Sequence, residues 1–145
     1  MVDVVDARTR SRMMSGIRGK NTRPEILVRR GLHAQGFRFR LHRKDLPGSP
    51  DIVLTSRRAV VLVHGCFWHR HHDCSYATHP KTRPVFWQEK FAANVARDAR
   101  NTARLEALGW RVATVWECAL KSEPGAAVDR LSQWLLSDDP SIFIG

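Results

Sequence analysis

The run Ala59-Val60-Val61-Leu62-Val63 constrains this chain more than any other segment, because it is apolar throughout and meets no polar residue until His64. A strand with water on one face alternates apolar and polar side chains, so an unbroken apolar, β-rich run belongs to a strand covered on both faces. Asp51-Ile52-Val53-Leu54 precedes it across a polar Ser56-Arg57-Arg58 break, and the turn-forming Leu46-Pro47-Gly48-Ser49-Pro50 leads into that first run. Two such runs joined this closely predict a hairpin.

Elements that cover a central strand should flank it. Thr22 caps a helix with Pro24 and Glu25 in its first turn, running to about Gln35 with Gly36 as its stop. Phe37, Phe39 and Leu41 alternate with Arg38 and Arg40, the period of a half-buried strand. Phe86 to Leu108 is the longest helical pattern, stopped by Gly109. Its Ala92, Val95, Ala96, Ala99 and Ala103 form a small-residue stripe suited to packing on a sheet, with Trp87, Asn94 and Asp98 on a neighbouring face. A strand over Trp110–Trp116 and a helix over Ala126–Leu136 complete the series, with Trp110, Trp116 and Trp134 as core filler. The order α, β, β, β, α, β, α predicts an α/β fold with a mixed central sheet flanked by helices. The organisation expected is a basic arm over residues 1–23 and a single domain over residues 24–145.

The balance of Lys and Arg over Asp and Glu, 24 to 14, gives a formal charge of +10 and a pI near 10.7, which favours a polyanionic partner, nucleic acid first. No apolar run approaches membrane-spanning length. The N-terminal Met1-Val2-Asp3-Val4-Val5-Asp6 is unlike a secretory signal, so a cytoplasmic protein with reduced thiols is expected. The arm carries Arg8, Arg10, Arg12, Arg18, Lys20 and Arg23, with a helical turn expected around Met13 to Ile17. A solvated tail and a nucleic-acid contact are equally compatible with that composition.

Where the central strand ends, His64-Gly65-Cys66-Phe67-Trp68-His69-Arg70-His71-His72-Asp73-Cys74 gathers metal ligands, imidazoles and aromatics. Cys66, Cys74, the distant Cys118 and either His71 or His72 supply four ligands of the kinds a closed, structural Zn²⁺ site uses. The bland alternative is three independent buried cysteines. His69 reads as a further ligand or as a proton carrier near neutral pH. Pro50-Asp51 resembles the first half of the restriction-endonuclease-like pattern, in which a carboxylate holds Mg²⁺ against a phosphate. The second half, an acid and a lysine on the next strand, is missing from Val61-Leu62-Val63-His64.

Several spaced motifs agree in order with one family. Pro47-Gly48-x-Pro50-Asp51, His64-Gly65-Cys66-Phe67-Trp68-His69, Phe86-Trp87-x-x-Lys90, Asn94-x-x-x-Asp98, Gly109-Trp110-Arg111-Val112 and Trp116-Glu117-Cys118 together resemble the very-short-patch repair endonucleases. The likeness spans roughly residues 8 to 120. It implies a restriction-endonuclease-like fold with a structural zinc and a Mg²⁺-dependent nickase that cuts 5′ of the thymine in a T·G mismatch left by deamination of 5-methylcytosine. By the same resemblance Asp51 binds Mg²⁺, with Glu25 close to that metal. His69 is the general base oriented by Asp98, and His64 donates to the phosphate. Phe67, Trp68 and Trp87 would insert between bases, with Arg12 and Met14 of the arm as further DNA contacts. Val63 stands where the family pattern has threonine, which leaves a backbone carbonyl but no hydroxyl for the metal. The implied partner is double-stranded DNA, with other mismatch-repair proteins as candidates and a monomer expected. Two rival readings stay open: a restriction-type nuclease of the same fold on matched DNA, and a zinc-stabilised DNA-binding module without catalysis.

Overall fold

The apolar run forms β3 (Ala59–His64), the middle strand of a five-stranded sheet ordered β1-β2-β3-β4-β5. The computed structural model describes residues 21–145. The candidate contacts Arg12 and Met14 and most of the basic arm therefore lie outside the described residues. β1 (Arg40–Leu41), β2 (Ile52–Leu54) and β3 pair antiparallel, whereas β3, β4 (Arg111–Trp116) and β5 (Ser141–Ile144) pair parallel, so the sheet is mixed. The β2–β3 hairpin closes through a 3-10 turn at Thr55–Arg57 and Arg58 in the left-handed region.

Four helices are described: α1 (Arg23–Ala34), α2 (Pro84–Ala107), α3 (Glu117–Ser122) and α4 (Pro124–Leu135). The sheet's period of two divides the apolar side chains between its faces. Ile52, Leu54, Val61 and Val115 join Val28, Leu120 and Leu131 under α1, α3 and α4 in the larger cluster. Val53, Val60, Leu62 and Val112 meet Leu105 and Trp110 on the α2 side in a smaller one. Both faces of β3 are thus covered, as its composition requires.

The caps follow the sequence closely. Thr22 Oγ1 accepts from the Glu25 N–H at 3.4 Å. Gly36 and Gly109 sit at φ of 95° and 87°, where a residue without Cβ is least strained. Each lets the next residue fold back on the helix: Phe37 N–H donates to the Leu32 carbonyl and Trp110 N–H to the Leu105 carbonyl, both at 3.0 Å. That pattern satisfies carbonyls left over at a helix end and packs an apolar residue beneath it.

Four expectations change. The alanine stripe of α2 faces water: Ala92, Ala96, Ala99 and Ala103 are exposed and Val95 is 45% exposed, while Phe91, Asn94 and Leu105 are buried. Burying a Phe or Leu side chain is worth roughly 1.5–3 kcal/mol against about 0.8 for a methyl-sized group, so the larger apolar face turns inward. The alternation from Phe37 places Phe37 and Phe39 against the core but leaves Leu41 exposed, and only Arg40–Leu41 pair as strand. Trp110 and Trp134 are core residues, but Trp116 is half-buried and lies against the histidines described below. Finally, α3 and β5 are additional elements, and Cys118 sits in the first turn of α3.

Candidate active site and metal centre

The antiparallel register of β2 and β3 sets Ile52 opposite Val61, so Asp51 and His64 fall at the same end of the hairpin. Asp51 Oδ2 accepts the Val63 N–H at 2.8 Å, which ties the carboxylate to the last turn of the ladder. Burial pushes the Asp51 carboxyl up to about 7. The Val63 N–H works against that rise, and the neighbouring Glu25 carboxylate adds to it.

Glu25 comes from the first turn of α1 and is 2% exposed. Burial would raise its carboxyl, but His42, Arg29 and the Asn21 N–H hold it below the usual carboxylate value. The Asn21 N–H donates to Oε2 at 2.6 Å, while His42 Nε2 and Arg29, at 3.2 Å, share Oε1. Ligand atoms of Glu25, His42 and Asp51 lie within 4.8 Å of one another. A buried and a half-buried carboxylate this close form an oxygen-rich pocket of the kind a hard divalent cation fits.

Beyond β3 the chain turns sharply. His69 N–H bonds the Gly65 carbonyl at 3.1 Å and His71 N–H the Cys66 carbonyl at 3.0 Å, so the loop coils back over the strand end. His64 and His69 rings stack at 3.9 Å with planes 4° apart. On its far side His69 Nδ1 meets Asp98 Oδ2, from α2, at 2.5 Å. An ionised carboxylate on Nδ1 keeps the proton there and leaves Nε2 as the basic nitrogen. Burial, then the His69 beside it, pushes the His64 imidazole down to about 3, so it is neutral at pH 7. Its Nδ1 is buried and has no hydrogen-bond partner among the described residues.

Parallel pairing sets His64 opposite Trp116, which brings the loop after β3 against the start of α3. Cys66, His71, Cys74 and Cys118 meet there with ligand atoms within 4.8 Å of one another. His71 Nδ1 is 3.6 Å from Cys66 Sγ and 3.4 Å from Cys118 Sγ. Tetrahedral zinc with bonds near 2.0–2.3 Å sets its donors roughly 3.5 Å apart, close to these two separations, so the donor set suits such an ion. His71 is the imidazole that reaches the cluster and stacks on Trp116 at 4.1 Å, whereas the His72 side chain is 94% exposed and pairs with Asp73.

The loop's remaining aromatics form one group with α2. Phe67, Trp68, Trp87 and Phe91 have ring centroids 5.0–5.8 Å apart in mutual pairs. Trp68 is packed inward at 7% exposure, while Phe67 and Trp87 are half-buried. Asn94 Nδ2 donates to the Trp68 carbonyl at 3.2 Å and fixes the loop to the helix. Arg70 donates to the carbonyls of Phe67, Ala77 and Thr78 and lies 4.1 Å over Phe91, closing the loop around itself.

A carboxylate pair, a carboxylate-oriented histidine and a Cys/His cluster are thus assembled at one end of a mixed sheet. The model of the DNA mismatch endonuclease Vsr family matches residues 2–76. Type II nicking enzyme V.XorIIP of Xanthomonas oryzae pv. oryzae (strain KACC10331 / KXO85) is 54% identical over 141 residues, covering 97% of this chain and 100% of that enzyme. The chain belongs to the DNA mismatch endonuclease Vsr family. DNA mismatch endonuclease Vsr of Escherichia coli (strain K12) is 43% identical over 148 residues, 99% of this chain and 94% of that protein. Type II nicking enzyme V.NmeAIP of Neisseria meningitidis serogroup A / serotype 4A (strain DSM 15465 / Z2491) is 45% identical over 123 residues, 85% of this chain and 87% of that one.

As a Vsr-family protein the chain is a DNA endonuclease. Among the described residues no helix is long and apolar enough to cross a membrane. His42 and Arg29 escape the motif reading, because their contacts with Glu25 appear only once α1 and β1 are in place. The role of Asn94 as the loop's anchor is also invisible without the orientation of α2.

Proposed function

We propose that this Vsr-family endonuclease nicks duplex DNA on the 5′ side of the thymine in a T·G mismatch, with Mg²⁺ at the carboxylate pocket and Zn²⁺ at the Cys/His cluster. The observation that carries the reading is the His69–Asp98 pair at the sheet end that also bears Asp51. Asp98 holds the His69 proton on Nδ1, so Nε2 is free to take a proton from the attacking water. Asp51 would hold Mg²⁺ with Glu25 close behind it, and Val63 offers only backbone there. Mg²⁺ in that pocket supplies Lewis-acid polarisation of the phosphate and offsets charge on the leaving oxygen. His64, neutral and stacked on His69, keeps that ring in plane and offers its own nitrogen to the phosphate.

Cys66, His71, Cys74 and Cys118 would hold a structural zinc that clamps the loop to α3. Phe67 and Trp87 would face the bases, and Trp68, packed inward in the free protein, would join them only by turning out on the DNA. Inserting such wedges costs a few kcal/mol of unstacking, which is smaller at a wobble pair than at a matched one, and this difference favours the mismatch. Arg12 and Met14 of the arm would add contacts, and the charge of +10 suits the duplex.

The deciding experiment compares strand cleavage of T·G and matched duplexes with and without Mg²⁺, in several flanking contexts. The expected result is a single nick 5′ of the mismatched thymine, only with the metal. Equal cutting of matched DNA would instead identify a restriction-type enzyme, and tight binding with no Mg²⁺-dependent nick would identify a non-catalytic module.

A further inference from the structure

His42 follows β1 with φ at 48°, a left-handed conformation that few residues other than glycine adopt. Its N–H donates to the Asp51 carbonyl at 3.3 Å, extending the β1–β2 ladder by one rung at the residue that bears the catalytic carboxylate. Its side chain, 12% exposed, points to Glu25 Oε1 and stands 3.5 Å from Arg29 Nη2. A strained backbone therefore places an imidazole against a buried acid, and does so from the strand partner of Asp51. Both oxygens of the Glu25 carboxylate have partners: Asn21 N–H on Oε2, Arg29 and His42 on Oε1.

We propose that His42 is a positioning residue of the catalytic-metal pocket, which braces Glu25 against Asp51 so that the two carboxylates are set for a divalent cation before it arrives. This inference rests on Asp51 being a metal-holding residue. With Nε2 protonated, His42 donates to Oε1 and fixes the rotation of the carboxylate. Without that donor, Oε1 is left to Arg29, and the acid can turn away from the pocket. Groups that orient a ligand in this way commonly change metal affinity by about 10–100-fold when removed.

Mn²⁺ binding to the full chain, read from loss of the free-ion paramagnetic resonance signal, tests the assignment. His42→Leu fills the space without a donor, and His42→Gln keeps an N–H donor at the end of a similar reach. His42→Leu should bind Mn²⁺ about tenfold or more weakly, and His42→Gln should recover most of that loss. Nicking should need correspondingly more Mg²⁺ for half-maximal rate in His42→Leu, while the rate at saturating Mg²⁺ stays near wild type. Wild-type Mn²⁺ affinity in His42→Leu, or equal losses in both variants, would overturn the assignment. Asp51→Asn serves as the separate control. If it binds Mn²⁺ like wild type, the metal reading of the pocket fails with everything built on it; if it alone loses binding, only the role of His42 fails.

Discussion

Replacing Asp98 with Asn keeps the shape of the side chain and removes its charge, which isolates what the carboxylate does for His69. In the native site Asp98 Oδ2 lies 2.5 Å from His69 Nδ1, which keeps the proton on Nδ1 and leaves Nε2 as the proposed base. An asparagine can turn its amide N–H toward Nδ1, which moves the ring proton to Nε2 and leaves no lone pair for the water. The His64 ring stacked 3.9 Å away does not substitute, because a ring lying face to face with His69 offers Nδ1 no acceptor in its plane and is itself neutral. General-base assistance is worth roughly 10²–10⁴-fold in rate. Its loss should raise the barrier by about 3–5 kcal/mol, since each tenfold corresponds to about 1.4 kcal/mol. The assay is single-turnover nicking of a T·G duplex at saturating Mg²⁺, with duplex affinity and urea unfolding measured in parallel. Asp98→Asn should bind and unfold like wild type and nick at least a hundredfold more slowly, by the same estimate of base catalysis. A rate within about threefold of wild type, under 1 kcal/mol of barrier, would refute the reasoning.

Metal analysis should find one zinc per chain, kept in His72→Ala and lost in His71→Ala or Cys74→Ser, because His71 faces the thiols and His72 faces water. Asn94→Ala should lower unfolding free energy by about 1–3 kcal/mol in urea titrations, since it leaves the Trp68 carbonyl without its buried donor. Gly31→Ala should cost a similar amount, about 1–3 kcal/mol, because a Cβ there would meet Val128 Cγ1 at 2.7 Å between α1 and α4. Without added metal, His64 and Asp51 should tilt stability in opposite directions between pH 4 and 7. The His64 value is depressed on folding, so its contribution is present above its ordinary value of 6.5 and is lost as pH falls toward 3. The Asp51 value is raised, so its contribution is present below its ordinary value of 3.8 and is lost as pH rises through about 7. His64→Gln should therefore flatten any rise of the urea midpoint with pH, and Asp51→Asn should steepen it.

The parts of the fold that depend on local pattern were readable from the chain. The uninterrupted run at Ala59–Val63 implied a doubly covered strand, and Gly36 and Gly109 marked helix ends through a backbone angle few other residues tolerate. The orientation of α2 was not readable from its alanines, because small residues are compatible with either environment and Phe91 and Leu105 decided the matter. Site residues that announce their chemistry, such as Cys66 or His69, stood out by type and spacing. His42 did not, since a residue after a short strand meets Glu25 only when the strand register brings it there, and Trp116, read as core filler, meets His71 only through the parallel pairing of β3 and β4. The ambiguity between His71 and His72 was likewise one of direction, which adjacent identical residues cannot reveal in sequence.

The unequal division of the apolar residues has a consequence for how the molecule comes apart. Three helices and the larger cluster secure one face of the sheet, but α2 is held by the smaller cluster around Leu105 and Trp110 and by its contacts with the loop. That lightly secured helix carries Asp98, Trp87 and Asn94. A partial opening that releases α2 while the rest of the sheet stays intact would separate Asp98 from His69 and disperse the aromatic group in a single event. The proposed base and its orienting acid thus depend on the same cooperative unit as the aromatic group, so thermal inactivation would precede melting of the scaffold, and DNA lying across that unit would hold it shut.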